Sequence, residues 1–292
     1  MLTWPISCCH KVLRHFILTR FNLLLWNKDK GGCPVRTKEW LEHRFALFER
    51  YCLPSLIGQR CQDFEWIILF DSKTPDAYKQ RIEAYQTRCS QLHPVYVEPE
   101  NGRFFADIFR REVVSRLKGV DERVLTTYLD NDDALNERFV EDLQQRALSL
   151  PDGSFINYTD GYQYYTDHSY VMQIHYPRNH FMSVVEDGNL STVKTIYGFG
   201  SHYYIEKMPG VRMETVRNLR MWSEVIHEKN MGNDAYFLRG AKMIRDAELL
   251  RREFHLDETV RYGTALYCFR FIPRFFRTFI RRTKYYLFGR HW

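Results

Sequence analysis

The sequence predicts an α/β protein: a mostly parallel sheet flanked by helices, a smaller β-rich region after it, and a basic C-terminal helix. Three observations predict it. The first 150 residues alternate short apolar runs with amphipathic stretches, the order that builds a parallel sheet covered by helices. The run Phe64–Phe70, FEWIILF, is apolar almost throughout, as a strand buried on both faces requires. That run and a second, Val124–Leu129, stop at acids, Asp71 and Asp130. Both would therefore present carboxylates along one edge of the sheet.

In chain order, His15–Asn22 reads as the first strand. Trp26–Val35 holds Gly31, Gly32 and Pro34 and reads as a loop. A helix starts near Thr37, with Trp40, Leu41, Phe45, Phe48, Tyr51 and Cys52 on its apolar face, until Pro54 kinks or ends it. Phe64–Phe70 is the second strand, Asp76–Ser90 a polar helix and Pro94–Val97 a third strand. Asp107–Lys118 is amphipathic on Ile108, Phe109, Val113 and Leu117, and Gly119 is placed to close it. The fourth strand precedes a helix over Asn136–Leu150.

Past Gly153 the character changes. SFINYTDGYQYYTDHSYVMQIHYP alternates aromatic with polar residues and reads as β-hairpins. Its tyrosines offer faces for sugar rings, or simply build a second small sheet. VVEDGNLSTV reads as an exposed acidic turn and TIYGFGSHYYI as one further strand. MWSEVIHEKNMGND, from Met221, reads as a short helix with Glu224 and His227 on one face. The chain thus divides into 1–150, 151–258 and a tail, 259–292.

A chain of 292 residues, 45% hydrophobic and 16% aromatic, can bury a sizeable core. Its seven cysteines, at 8, 9, 33, 52, 61, 89 and 268, contain no C-x-x-C pair and read as reduced thiols in a cytoplasmic protein. Cys8, Cys9 and His10 lie close together, but no second pair completes a zinc site. No apolar run reaches membrane-spanning length, and the N-terminus is a poor signal peptide. Charge is uneven. Residues 259–292 hold eight Lys or Arg and no acid, so removing their +8 from the chain's +6 leaves −2 for the rest. In that tail Phe271, Ile272, Phe275, Phe276 and Phe279 recur at helical spacing among Arg274, Arg277, Arg281, Arg282 and Lys284. This is the pattern of a helix lying in an anionic membrane surface. A helix packed back on the domain is the alternative. No nucleic-acid motif accompanies the charge, and no glycine-rich dinucleotide or P-loop sequence occurs.

The chemistry concentrates in Asp130-Asn131-Asp132-Asp133. Three carboxylates on four residues repel one another and need a compensating charge. A hard divalent cation, Mg²⁺ or Mn²⁺, supplies one and shares its oxygen ligands with phosphates. The competing reading is an acidic loop that caps the next helix, with Asn136 as the cap and Glu137 in the first turn.

Together, Leu53–Gln59, strand-ending Asp71 and the Asp130–Asp133 cluster resemble a GT-A nucleotide-sugar glycosyltransferase. More narrowly, ILTRFN (Ile17–Asn22), YCLPSLIGQ (Tyr51–Gln59), FEWIILFD (Phe64–Asp71), YLDNDDAL (Tyr128–Leu135) and MWSEVIHEKN (Met221–Asn230) resemble the rhamnosyltransferase family of bacterial surface-polysaccharide clusters. The resemblance implies transfer of a sugar, rhamnose by the family's name, from a nucleotide-sugar donor to a glycan or lipid-linked saccharide. It implies Thr19, Arg20, Asp71 and Asp130 as nucleotide-sugar contacts, Asp132, Asp133 and His227 as ligands of Mn²⁺ or Mg²⁺, and a cytoplasmic enzyme peripheral on the inner face of the plasma membrane. The acid pair usual before the last catalytic helix is missing, which leaves Glu224 and Asp187 both open as the base. A metal-dependent nucleotidyl- or phosphotransferase shares the acid cluster and is the second expectation.

Overall fold

The computed structural model describes residues 12–25, 34, 35, 37–119, 122–227 and 241–266, together with 268, 269, 272, 273, 276, 279, 280 and 283. One ten-stranded sheet runs through them. Its parallel part comprises β1 (Val12–Arg20), β2 (Glu65–Asp71), β3 (Leu92–Val97) and β4 (Glu122–Tyr128), in the spatial order β3–β2–β1–β4. The chain winds outward from β1 to β3 and then returns to the other side of β1. Such a reversal opens a crevice at the carboxyl ends of the two strands that flank it, β1 and β4.

Strand alternation sorts β1 onto two cores. Ile17 and Phe21 pack under α1 (Lys38–Leu47), α2 (Leu53–Ile57), α3 (Asp76–Arg88) and α5 (Phe139–Ser149), whereas Phe16 and Leu18 pack under α4 (Phe105–Arg116). Thr37 caps α1 through its hydroxyl, which accepts the Trp40 N–H at 3.1 Å. Pro54 does not stop this helical layer. Residues Phe48–Cys52 widen into a π turn and the Leu53 N–H reaches back to the Phe48 carbonyl, so the chain continues into α2 around the proline ring. Leu117, in extended conformation, ends α4, so Gly119 is not its closing residue.

The second half extends the same sheet. Across it, β8 (Met182–Asp187) runs antiparallel to β4, and β6 (Ser154–Tyr165) antiparallel to β8. The hairpin partner β7 (Tyr170–His175) follows, with β10 (Lys242–Met243) at the edge. A long strand, β9 (Arg212–Ile226), lies parallel to β6 and also pairs with the two-residue β5 (Ala134–Leu135).

The structure departs from the sequence expectation in three segments. Val184–Asp187, the start of the expected acidic turn, belong instead to β8, because Val184 and Val185 fill the two cores. TIYGFGSHYYI is not a strand: it forms a 3-10 turn, Ile196–Phe199, and the single helical turn α6 (His202–Ile205), with Gly200 at φ +78° between them. Met221–Ile226 is strand, not helix, since the twelve-residue β6 offers a buried partner whose pairing outweighs local helical preference. Gly161 makes that pairing possible. A Cβ there would lie 2.3 Å from the Trp222 indole. Of the N-terminal loop, residues 26–33 lie outside the described residues, as do Cys8, Cys9 and His10.

His15 illustrates what burial costs in this sheet. Its ring is buried beside the Thr127 hydroxyl at 2.9 Å, and desolvation pushes its pKa down to about 3. The folded protein therefore holds His15 neutral, while the unfolded chain protonates it below about 6.5. Stability from this group is complete above that value and is lost as pH falls. Between pH 7.5 and 5.5 the expected loss is about 1.4 kcal/mol, absent from His15→Gln. Urea melts of both proteins at the two pH values check it; equal losses would refute it.

Candidate active site

The Asp130–Asp133 loop leaves β4 and is pinned from several directions before β5 begins. From α2, the Ser55 hydroxyl accepts the Leu135 N–H at 3.2 Å. Gln59 donates to the Asn136 carbonyl at 2.8 Å and accepts the Val140 N–H at 3.1 Å. Segment Leu53–Gln59 thus acts as a brace for the loop. Asn136 turns the chain toward α5 by accepting the Arg138 N–H at 3.1 Å. Asn131 donates to the Phe21 carbonyl at 3.2 Å, which ties the loop to the end of β1.

Each carboxylate then finds its own partner. Asp132 accepts from Arg44 of α1 at 3.0 Å and from His227 at 3.0 Å. Asp133, fully buried, accepts the Val225 N–H at 2.8 Å on one oxygen and His180 Nε2 at 2.7 Å on the other. Asp130 is about one-third exposed and accepts the Tyr128 hydroxyl at 2.8 Å. Arg20, at the end of β1, lies 3.8 Å from Asp130 and donates to Tyr128 at 2.7 Å. The rings of Phe105, Tyr197 and Tyr128 surround its guanidinium at 4.8, 5.2 and 5.6 Å.

The electrostatics are those of a site short of positive charge. Burial pushes Asp133 up to about 7, only partly opposed by the His180 hydrogen bond. Burial works against a charged His180, yet the contact with Asp133 outweighs it and raises the imidazole to about 9. Burial would likewise raise Asp132, but the Arg44 charge and the His227 hydrogen bond hold it down near 2. Glu224, buried on β9 beside Gln163 at 2.5 Å, is raised by desolvation to about 7.

Among the described residues, Asp130, Asp133 and His180 place ligand atoms within 4.8 Å of one another. Two carboxylates and an imidazole form a donor set that a divalent cation accepts, and Asp130 keeps a path to solvent. The residues therefore fit a metal, with a ligand set different from the expected one. Asp132 is engaged instead with His227 and Arg44, because successive side chains of a tight loop diverge.

The other predicted residues separate. Arg20 and Asp130 meet in the crevice. Thr19 does not join them: it faces the opposite side of β1, fully buried, and accepts the Trp66 indole N–H at 2.9 Å. Asp71 ends β2 and lines a cavity of about 330 Å³ with Asn22, Trp40, Thr74 and Tyr78. Trp40 also stands beside Arg44, 5.4 Å from its guanidinium, so this cavity adjoins the loop. Glu224 lies on β9 and His227 just past its end, so they share no helix face. Asp187 pairs with Arg123, seven residues before Asp130, or about 23 Å at the rise of a strand. It takes no part in the cluster. Sequence reasoning missed His180 and Arg44. Neither sits in a recognisable spacing, since His180 approaches Asp133 across 47 residues.

The family described as putative rhamnosyl transferase matches residues 35–237, which carry the acid loop and every strand from β2 to β9. The chain belongs to that family. Among solved structures, S. aureus TarS residues 1–349 is similar at 11% identity over 73% of this chain and 60% of that one, with a TM-score of 0.39. The same fragment in complex with UDP gives 12% identity, 73% and 60% coverage and a TM-score of 0.42. A longer TarS structure gives 12% identity over 73% of this chain and 37% of that one, with a TM-score of 0.40. The chain thus spans 60% or less of the length of these structures. No curated protein matches the sequence.

Proposed function

We propose that the enzyme transfers a sugar, rhamnose by the family's description, from a nucleotide-sugar donor to a glycan or lipid-linked saccharide of a surface polysaccharide. The observation that carries this is the adjacency, at the switch point of the sheet, of the Asp71 cavity and the Asp130–Asp133–His180 cluster. The cavity suits a base and ribose, with Trp40 and Tyr78 as aromatic walls and Asp71 as a polar contact. Asp130, Asp133 and His180 would hold Mn²⁺ or Mg²⁺, whose chemistry is to neutralise the diphosphate as it leaves. Arg20, locked among three rings, adds a fixed positive charge beside Asp130. Glu224 takes the role of base: burial tunes its carboxylate to about 7, which suits removal of a proton from an acceptor hydroxyl. Asp187 is dropped from that role by its position.

Incubation with dTDP-rhamnose, UDP-sugars and GDP-sugars tests the reading. Release of nucleoside diphosphate is expected. Release of monophosphate would instead favour a nucleotidyl- or phosphotransferase.

No helix among the described residues is long and apolar enough to cross a membrane. Within the tail, Phe269, Ile272, Phe276, Phe279 and Ile280 are exposed, and Phe271, Arg274, Phe275, Arg277, Arg281, Arg282 and Lys284 lie outside the described residues. The proposal includes a peripheral position on the cytoplasmic face of the membrane. Exposed apolar rings in a segment of charge +8 support it, since each cation near an anionic surface contributes on the order of 1 kcal/mol. Full-length protein is expected to float with phosphatidylglycerol liposomes at low salt and a 1–261 truncation to stay behind. If neither floats, the membrane reading is wrong.

A further inference from the structure

We propose, on the basis of the glycosyl-transfer reading above, that the exposed rings of Tyr203 and Tyr204, beside Tyr176, form the subsite for a sugar ring of the acceptor. Position is the first argument. A file of rings leads outward from the carboxylate cluster. His180 lies 2.7 Å from Asp133 and 3.9 Å from Asp130. The His202 ring follows at 6.0 Å from His180, Tyr203 at 4.1 Å from His202, and the Tyr176 hydroxyl donates to that of Tyr203 at 3.2 Å.

Exposure is the second. Tyr158, Tyr162, Tyr164, Tyr165, Tyr170 and Tyr197 are buried, whereas Tyr203 and Tyr204 are 41% and 64% exposed. A tyrosine presents a flat apolar face with a hydroxyl at its rim. That combination matches a pyranose, which carries a C–H face bordered by hydroxyls. A purely apolar occupant would strand those phenol groups.

Backbone strain also marks this segment. Thr195 holds φ +65° and ψ 164°, a conformation that β-branched residues rarely adopt, and it is fully buried. Its surroundings enforce it. The Glu186 carboxylate accepts the N–H groups of Lys194 and Thr195 at 2.8 and 2.9 Å. The Thr126 hydroxyl accepts the Ile196 N–H at 2.8 Å, and Arg110 donates to the Val193 carbonyl at 2.8 Å. Tyr197 then stacks on Phe109 at 4.9 Å and 5°, which fixes the turn that leads into His202–Ile205. Strain of this kind persists where a segment must be placed, and here Glu186 is the positioning residue.

Saturation-transfer NMR on the full chain tests the proposal, with methyl α-L-rhamnoside, methyl α-D-glucoside and methyl β-D-galactoside as probes in the presence of nucleoside diphosphate. Ring-proton signals are expected from at least one probe in wild type. They should fall about fivefold or more in Tyr203→Ala/Tyr204→Ala, while calorimetric affinity for the nucleotide stays within about twofold. Undiminished signals in the double variant, or none from a wild type that binds nucleotide, overturn the subsite alone. A wild type that binds no nucleotide overturns the glycosyl-transfer reading together with it. Glu186→Gln, which leaves both rings intact, should weaken the same signals; no change there removes its positioning role.

Discussion

Asp130→Asn is expected to lower turnover about a thousandfold while shifting the melting temperature by no more than about 2 °C. Of the three acids, Asp130 is the one with exposed surface and the one whose structural duties an amide can take over. Its oxygen accepts the Tyr128 hydroxyl, and an Asn carbonyl does the same. What the substitution removes is the charge beside Arg20, Asp133 and His180, where the donor diphosphate and its cation are proposed to sit. Steady-state rates with the preferred nucleotide-sugar, together with calorimetric melts, check both halves of the expectation. Glu224→Gln should lose turnover too, yet still bind nucleotide, because its carboxylate hydrogen-bonds Gln163 and acts on the ligand set only through its charge. Full activity in Asp130→Asn would remove the cluster from the chemistry.

Asp132→Ala has a different expected profile: the fold suffers first. Asp132 and Arg44 are both largely shielded from water and meet at 3.0 Å. Removing one partner of a buried pair typically costs about 3–5 kcal/mol, since the other charge stays behind uncompensated. For a domain of this size that is a fall in melting temperature of roughly 6–20 °C. The sign with pH follows from the depressed carboxyl. The pair's contribution is fully present above about 3.9 and disappears as pH falls through about 2. At neutral pH the whole penalty should therefore appear. Replacing both partners, as in Arg44→Leu/Asp132→Leu, should recover much of it. An unchanged melting temperature in Asp132→Ala would mean that Arg44 has another counter-charge.

That second expectation reverses what the sequence suggests. Three adjacent acids read as mutually repelling, so loss of one looks harmless. In the fold they are not equivalent, because Arg44, His227 and His180 arrive from α1, the end of β9 and the approach to β8 and separate the three carboxylates. Sequence periodicity does show the parallel half of the sheet, since its strands are buried on both faces and its helices are amphipathic. It also places Asp71 and Asp130 along one edge. It fails where long-range pairing decides: Met221–Ile226 carries no strand signal strong enough to outweigh a helical reading until β6 is known to lie beside it. Thr19 fails for a simpler reason. It neighbours Arg20 in sequence, and strand alternation therefore sends it to the opposite core. Leu53–Gln59 contributed to the family resemblance, and its structural reason is now plain: Ser55 and Gln59 brace the acid loop.

In the proposed enzyme the crevice between β1 and β4 holds a nucleoside diphosphate on Asp130, Asp133 and His180, with its base toward Asp71. Soaking crystals with Mn²⁺ and dTDP, UDP or GDP tests it most directly. An anomalous Mn²⁺ peak bonded to Asp130, Asp133 and His180 is expected, with the base of one nucleotide in the cavity between Trp40 and Tyr78. A nucleotide bound elsewhere, or one in that cavity with its phosphates directed away from the three ligands, would contradict it.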